Sequence, residues 1–122
     1  CAGYGVDLIS MVAPTSEKRI AKIAREAEGF LYVVSSLGVT GMRSEITTDL
    51  TSIVATIREN TRIPCAVGFG ISTPQQAAAM AEYADGVIVG SAIVNIMEKY
   101  GKDAPQYVGD YVKEMKKALS VY

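Results

Sequence analysis

Short, nearly unbroken apolar runs alternate with stretches of helical period along this chain, and the alternation occurs four times. The first run, residues 6–13, stops at Pro14-Thr15-Ser16, where a hydroxyl can cap a helix. Residues 16–27 then put Ile20, Ile23, Ala24 and Ala27 on one helical face. Gly29 ends that helix and a second strand is predicted over 30–35. A longer connection, 36–48, carries Gly38-Val39-Thr40-Gly41, and a helix over 49–60 turns Leu50, Ile53, Val54 and Ile57 inward. The third strand is 64–68. Its helix opens at Thr73-Pro74-Gln75-Gln76, with Thr as cap, Pro at the first helical position and Gln at the third, which is a capping box. The fourth strand is 86–89, followed by a helical stretch over 92–100. One more amphipathic helix, 105–119, carries Val108, Tyr111, Val112, Met115 and Leu119 on a stripe, with Lys113, Lys116 and Lys117 toward the end that favours cations.

Runs that are apolar throughout, not alternating, suit parallel strands buried on both faces. The pattern therefore predicts an α/β fold of four consecutive βα units in one domain spanning 1–122, without a linker. The strands should lie parallel in sequential order, with helices on the outer face and right-handed crossovers. The first and last strands would each keep a bare edge that can recruit another strand.

Composition narrows the classes of function. With 122 residues the chain holds one modest core, whereas a complete (β/α)₈ barrel needs about 250. A net charge of -1 leaves no footprint for nucleic acid or an anionic membrane. No apolar run approaches the roughly 18 residues of a membrane span, and no secretory leader pattern is visible. The first residue is Cys, not Met, so a natural start upstream is expected. Two cysteines, Cys1 and Cys65, suit a reducing compartment and neither a disulfide framework nor a metal site. Histidine is absent, which leaves acid–base chemistry to carboxylates, Tyr or Lys.

The strongest chemical signal is a pair of glycine-rich strand ends, Cys65-Ala66-Val67-Gly68-Phe69-Gly70-Ile71-Ser72 and Gly86-Val87-Ile88-Val89-Gly90-Ser91-Ala92-Ile93-Val94. Each hands an apolar run to a helix start. Glycine there lets the backbone approach a ligand, and the helix N-terminus offers unpaired N–H groups with partial positive charge. Side by side in a parallel sheet, two such ends would make one pocket for a phosphate, as after strands 7 and 8 of a (β/α)₈ barrel. The plainer alternative is that these glycines only permit tight turns.

Four stretches together resemble a known family. They are Asp7-Leu8-Ile9-Ser10-Met11-Val12-Ala13-Pro14-Thr15-Ser16, Tyr32-Val33-Val34-Ser35-Ser36-Leu37-Gly38-Val39-Thr40-Gly41, Gly68-Phe69-Gly70-Ile71-Ser72 and Gly90-Ser91-Ala92-Ile93-Val94. In this order and spacing they look like the tryptophan synthase alpha chain, in the second half of its TIM barrel, strands 5 to 8. The resemblance implies a half-barrel of four parallel βα units plus a C-terminal helix. It also implies a cytoplasmic lyase that cleaves indole-3-glycerol phosphate to indole and glyceraldehyde 3-phosphate by a retro-aldol step. Phosphate binding falls by this resemblance to Gly41, Gly70, Ile71, Gly90 and Ser91, and substrate contact to Met11, Tyr32, Thr40 and Phe69. The expected partners are the tryptophan synthase beta chain and the missing N-terminal half-barrel. No cofactor is implied for this chain, pyridoxal phosphate belonging to the beta chain. The 36–48 loop would close over substrate and lie near that partner.

Plainer roles stay open for these residues. Tyr32 could be a core aromatic, Thr40 a turn residue, Ser91 an N-cap and Met11 core filler. The family's two catalytic carboxylates belong to the other half of the barrel, so no catalytic residue is expected in this segment. Of the thirteen acidic residues, Glu17, Glu26, Glu28, Glu59 and Glu82 are expected on solvated helix faces, Asp7 before its strand, and Glu45 alone in the 36–48 loop. Two alternatives remain: a half-barrel that assembles with itself without catalysis, and another phosphate-binding barrel enzyme of the indole-glycerol-phosphate synthase type.

Overall fold

Each predicted apolar run supplies one strand of a single sheet. In the computed structural model, which describes residues 1–34, 43–68 and 70–120, the elements are β1 (Ser10–Val12), α1 (Glu17–Glu26), β2 (Leu31–Val34), α2 (Arg43–Asn60), β3 (Cys65–Gly68), α3 (Pro74–Ala81), β4 (Gly86–Val87), α4 (Ser91–Tyr100) and α5 (Ala104–Leu119). The strands lie in the order β1-β2-β3-β4. All three pairings are parallel, as the continuous apolar runs require.

The register sorts side chains between the two faces. Val12, Leu31, Val33, Cys65 and Val67 are all fully buried, packed in one cluster with Ile20 and Ala24 of α1, Leu50 and Ile57 of α2, Ala77 and Met80 of α3, and Met115 of α5. The opposite face carries the row Met11–Tyr32–Ala66–Gly86, one residue from each strand. The helices pack on one side only, as expected of an outer face, so the burial of both faces that the continuous apolar runs suggested does not occur, and Met11 is 60% exposed. Among the described residues β1 and β4 each pair with a single neighbour, as expected for the edges.

The caps explain where the helices begin. Ser16 precedes α1 and its hydroxyl accepts the Arg19 N–H at 3.4 Å. Thr73 and Gln76 close the capping box of α3, with Pro74 at the first helical position. Besides β4, which spans only Gly86–Val87, two lengths differ from expectation. β1 is shorter than 6–13: its ladder to β2 begins at Ser10 and Leu31, while before it Gly29, with φ 68°, lies against Asp7 and Ile9 and the Leu8 N–H meets the Glu28 carboxylate at 3.4 Å. Glu28 thus follows α1, outside the helix. α2 begins at Arg43, not at 49, since the step from Ile46 to Leu50 to Val54 already carries helical period through a Ser- and Thr-rich stretch. Glu45 therefore belongs to α2, not to a loop.

At the start of β3 and β4 a polar clasp locks the sheet. Asp85 accepts the Cys65 N–H at 2.9 Å and pairs with Arg58 at 2.9 Å, while its own N–H meets the Cys65 carbonyl at 2.9 Å. Burial pushes the Asp85 carboxyl up, but the Arg58 guanidinium and the Cys65 N–H outweigh it and hold it below its ordinary value. Burial pushes the Cys65 thiol up, which keeps it protonated and inert.

Candidate functional site

At the other end of the strands, the two glycine-rich junctions meet. Gly70 leaves β3 with φ 75°, a left-handed conformation that costs a side-chain-bearing residue about 1–2 kcal/mol. Ile71, only 4% exposed, anchors the turn in the core. β4 ends at Val87, although the Ile88 N–H continues the ladder to the Val67 carbonyl at 2.8 Å. The chain then enters α4 through Gly90. The Gly90 carbonyl accepts from Ile93 at 3.0 Å and Val94 at 3.1 Å. This leaves the N–H groups of Ser91 and Ala92 without a hydrogen-bond partner among the described residues.

The two junctions are not equivalent, which corrects the expectation of two open helix ends. At α3 the Gln76 Oε1 accepts the N–H of Ser72 at 2.9 Å and of Thr73 at 3.2 Å, and the Thr73 hydroxyl accepts the Gln76 N–H at 3.2 Å. The capping box therefore takes up the N–H groups of Ser72 and Thr73 at the start of α3. At α4 there is no side-chain cap: Gly90 is the N-cap, and Ser91 is the first helical residue. Ser91 is therefore not the cap, and the open helix end is that of α4.

A cleft of about 570 Å³ lies between the junctions, and Tyr32, Gly70, Ile71, Gly90 and Ser91 all line it. Five of the nine expected site residues thus come together. Met11 does not line the cleft; it stands beside Tyr32 on the open sheet face, by register. Thr40, Gly41 and Phe69 lie outside the described residues. Ser72, Ile88, Ala92 and Asn95 also line the cleft and were not singled out from the sequence. Asn95 had a signal, since it falls one helical turn after Ser91 on the same face.

Tyr32 is held in place by the absence of a side chain opposite it. A Cβ on Gly68 would fall 2.7 Å from the Tyr32 Cε1 and 2.5 Å from its Cζ, so the ring lies across the bare backbone of β3. The described residues lining the cleft include no Lys, Arg, Asp or Glu. An anion there would be met by peptide N–H groups, the positive end of α4 and the hydroxyls of Ser91 and Tyr32. Among the described residues no carboxylate lines the cleft. Glu17, Glu26, Glu28, Glu59 and Glu82 are all exposed and away from the cleft. Among the described residues, no group of three His, Cys, Asp or Glu gathers to hold a metal, and no helix is long and apolar enough to cross a membrane.

Residues 1–120 match the family profile described as tryptophan synthase alpha chain. A tryptophan synthase alpha chain of Lactiplantibacillus plantarum is 56% identical over 117 residues, which is 95% of this chain and 44% of that protein. One from Lacticaseibacillus casei is 49% identical over 116 residues, again 95% of this chain and 44% of the relative. Among solved structures, the tryptophan synthase subunit alpha of Campylobacter jejuni superposes with a TM-score of 0.78 at 34% identity, covering 100% of this chain and 46% of that one. The chain thus spans less than half the length of these relatives.

Proposed function

Because the chain belongs to the tryptophan synthase alpha chain family, we propose that it forms the phosphate-holding side of an alpha-chain active site, corresponding to strands 5 to 8 of the barrel. This membership sets aside a barrel of the indole-glycerol-phosphate synthase type. The reaction we assign to the whole protein is retro-aldol cleavage of indole-3-glycerol phosphate to indole and glyceraldehyde 3-phosphate. The observation that carries the reading is the single cleft that receives Gly70, Ile71, Gly90, Ser91 and Tyr32 at the exit of parallel strands.

In this reading the phosphate sits against the open N-terminus of α4, within reach of the Gly70–Ile71 backbone. Gly41 would add a further N–H. The glycerol and indole portions extend along the open sheet face past Tyr32 toward Met11, with Phe69 and Thr40 assigned substrate contact by the family resemblance alone. Phosphate binding then fixes the reacting carbon–carbon bond, and such positioning supplies a large share of a catalysed rate. Proton transfer belongs to carboxylates outside residues 1–122, and the beta chain is the partner that receives indole.

The test is reconstitution. Calorimetry should show glycerol phosphate binding to the chain alone. Indole release should need a second polypeptide carrying the first four βα units of a relative. General acid–base groups each contribute about 10²–10⁴-fold, so the chain alone should be slower by at least that factor. Indole release by the isolated chain at the rate of a full-length alpha chain would overturn the assignment of roles.

A further inference from the structure

One tertiary hydrogen bond reaches the cleft from the last helix. The Tyr111 hydroxyl of α5 donates to the Ser72 carbonyl at 2.6 Å, across 39 positions of chain. Ser72 is the cleft residue whose N–H and hydroxyl are already committed to the Gln76 Oε1, at 2.9 and 3.2 Å. Both peptide groups flanking Ser72 are therefore fixed, one by α3 and one by α5. The Tyr111 ring meanwhile lines an apolar cavity of about 200 Å³ with Val87, Val89 and Ile93, which belong to the second glycine junction. The same residue thus bonds to the first junction and shares a cavity with residues that flank the second. Val108, Met115 and Leu119 supply apolar surface on the same helix, so the hydroxyl adds direction more than burial. Burial pushes the Tyr111 phenol up, which keeps it a donor.

We propose that Tyr111 is a positioning residue of the anion cleft, holding the Gly70–Ser72 turn at the distance from Gly90–Ala92 at which both backbones reach one phosphate. The proposal rests on the phosphate-holding role assigned above. Removing the hydroxyl leaves the ring in place and frees the Ser72 carbonyl, so the turn can drift while the fold stays.

The experiment compares the parent chain with Tyr111→Phe and Val108→Ala, using inorganic phosphate and glycerol phosphate in calorimetry, urea midpoints and amide hydrogen exchange. Val108→Ala loosens α5 without touching the cleft. Tyr111→Phe should weaken phosphate binding by about 3- to 10-fold, the worth of one neutral hydrogen bond. Its amide exchange should accelerate at 70–73 and not in α1, and Val108→Ala should lower the urea midpoint at unchanged affinity. Unchanged affinity in Tyr111→Phe overturns the proposal while leaving the phosphate reading intact. Equal weakening in both variants overturns it too, reducing Tyr111 to a stability effect. A parent chain that binds neither anion overturns the phosphate reading, and this proposal with it.

Discussion

Gly68→Ala probes the contact that places Tyr32. The new Cβ would sit 2.5 Å from Cζ and 2.7 Å from Cε1 of that ring. Carbon atoms prefer about 3.5–4.0 Å, so the ring must withdraw by about 1 Å. On an arm of several ångströms from Cβ this is a rotation well under 30°, so its cost stays below the roughly 0.5–1.5 kcal/mol of a fully off-rotamer side chain. Lost packing brings the strain to about 1 kcal/mol, the low end for overpacking. Against it stands a gain of about 0.4–1 kcal/mol, because alanine restricts the unfolded chain more than glycine. The two nearly cancel. Gly68→Ala should therefore leave stability almost unchanged in the parent chain, yet stabilise a Tyr32→Ala background by the full entropic amount. Urea unfolding of the four proteins closes the cycle, with an expected coupling of about 0.5–1.5 kcal/mol. Additivity within about 0.3 kcal/mol would show that the ring does not lie on Gly68 in solution, and would refute the reasoning.

Gly90→Val should keep the fold, since a Cβ there meets nothing within 4 Å; filling the mouth of α4 should weaken phosphate binding about tenfold or more in calorimetry. Gly70→Ala should lower stability by about 1–2 kcal/mol in urea, because its φ of 75° is left-handed. Asp85 has a folded pKa below its ordinary 3.8, so its contribution is present above that value and lost as pH falls through the folded pKa. The urea midpoint should accordingly drop in acid below about pH 4, and less so in Asp85→Asn. With side chains 44% and 40% exposed, the Arg58 pair itself is worth less than about 1 kcal/mol. Asp85→Ala should cost more than Asp85→Asn, because it also strands the Cys65 N–H, at about 1–3 kcal/mol; equal losses would count against that role.

Local chemistry made much of this fold legible. Ser16, the Thr73–Gln76 box and the terminal glycines act within one turn, so the starts of α1 and α3 follow from adjacent residues. The parallel sheet followed from uninterrupted apolar runs. Strand length was not legible in β1, because where its ladder starts depends on the left-handed Gly29 of the partner chain. The early start of α2 was hidden by Thr and Ser residues whose weak propensity yields to packing of the Leu50 face. The site was half legible. Glycines marked both junctions and the capping box marked Gln76 as a cap, but that its Oε1 also takes the Ser72 N–H is visible only in the fold. The Tyr111–Ser72 bond joins elements far apart in the chain, and no spacing rule could announce it.

The unequal junctions have a consequence for how recognition would respond to acidity. Peptide N–H groups do not ionise, and the described lining contains no carboxylate or basic side chain. The described lining is then electrically constant across the neutral range. A phosphate monoester is not: it takes up its second charge near pH 6. As far as the described lining sets it, a titration of binding between about pH 5 and 8 would thus come from the ligand, and a sulfate probe, whose charge is constant there, would give a flat line.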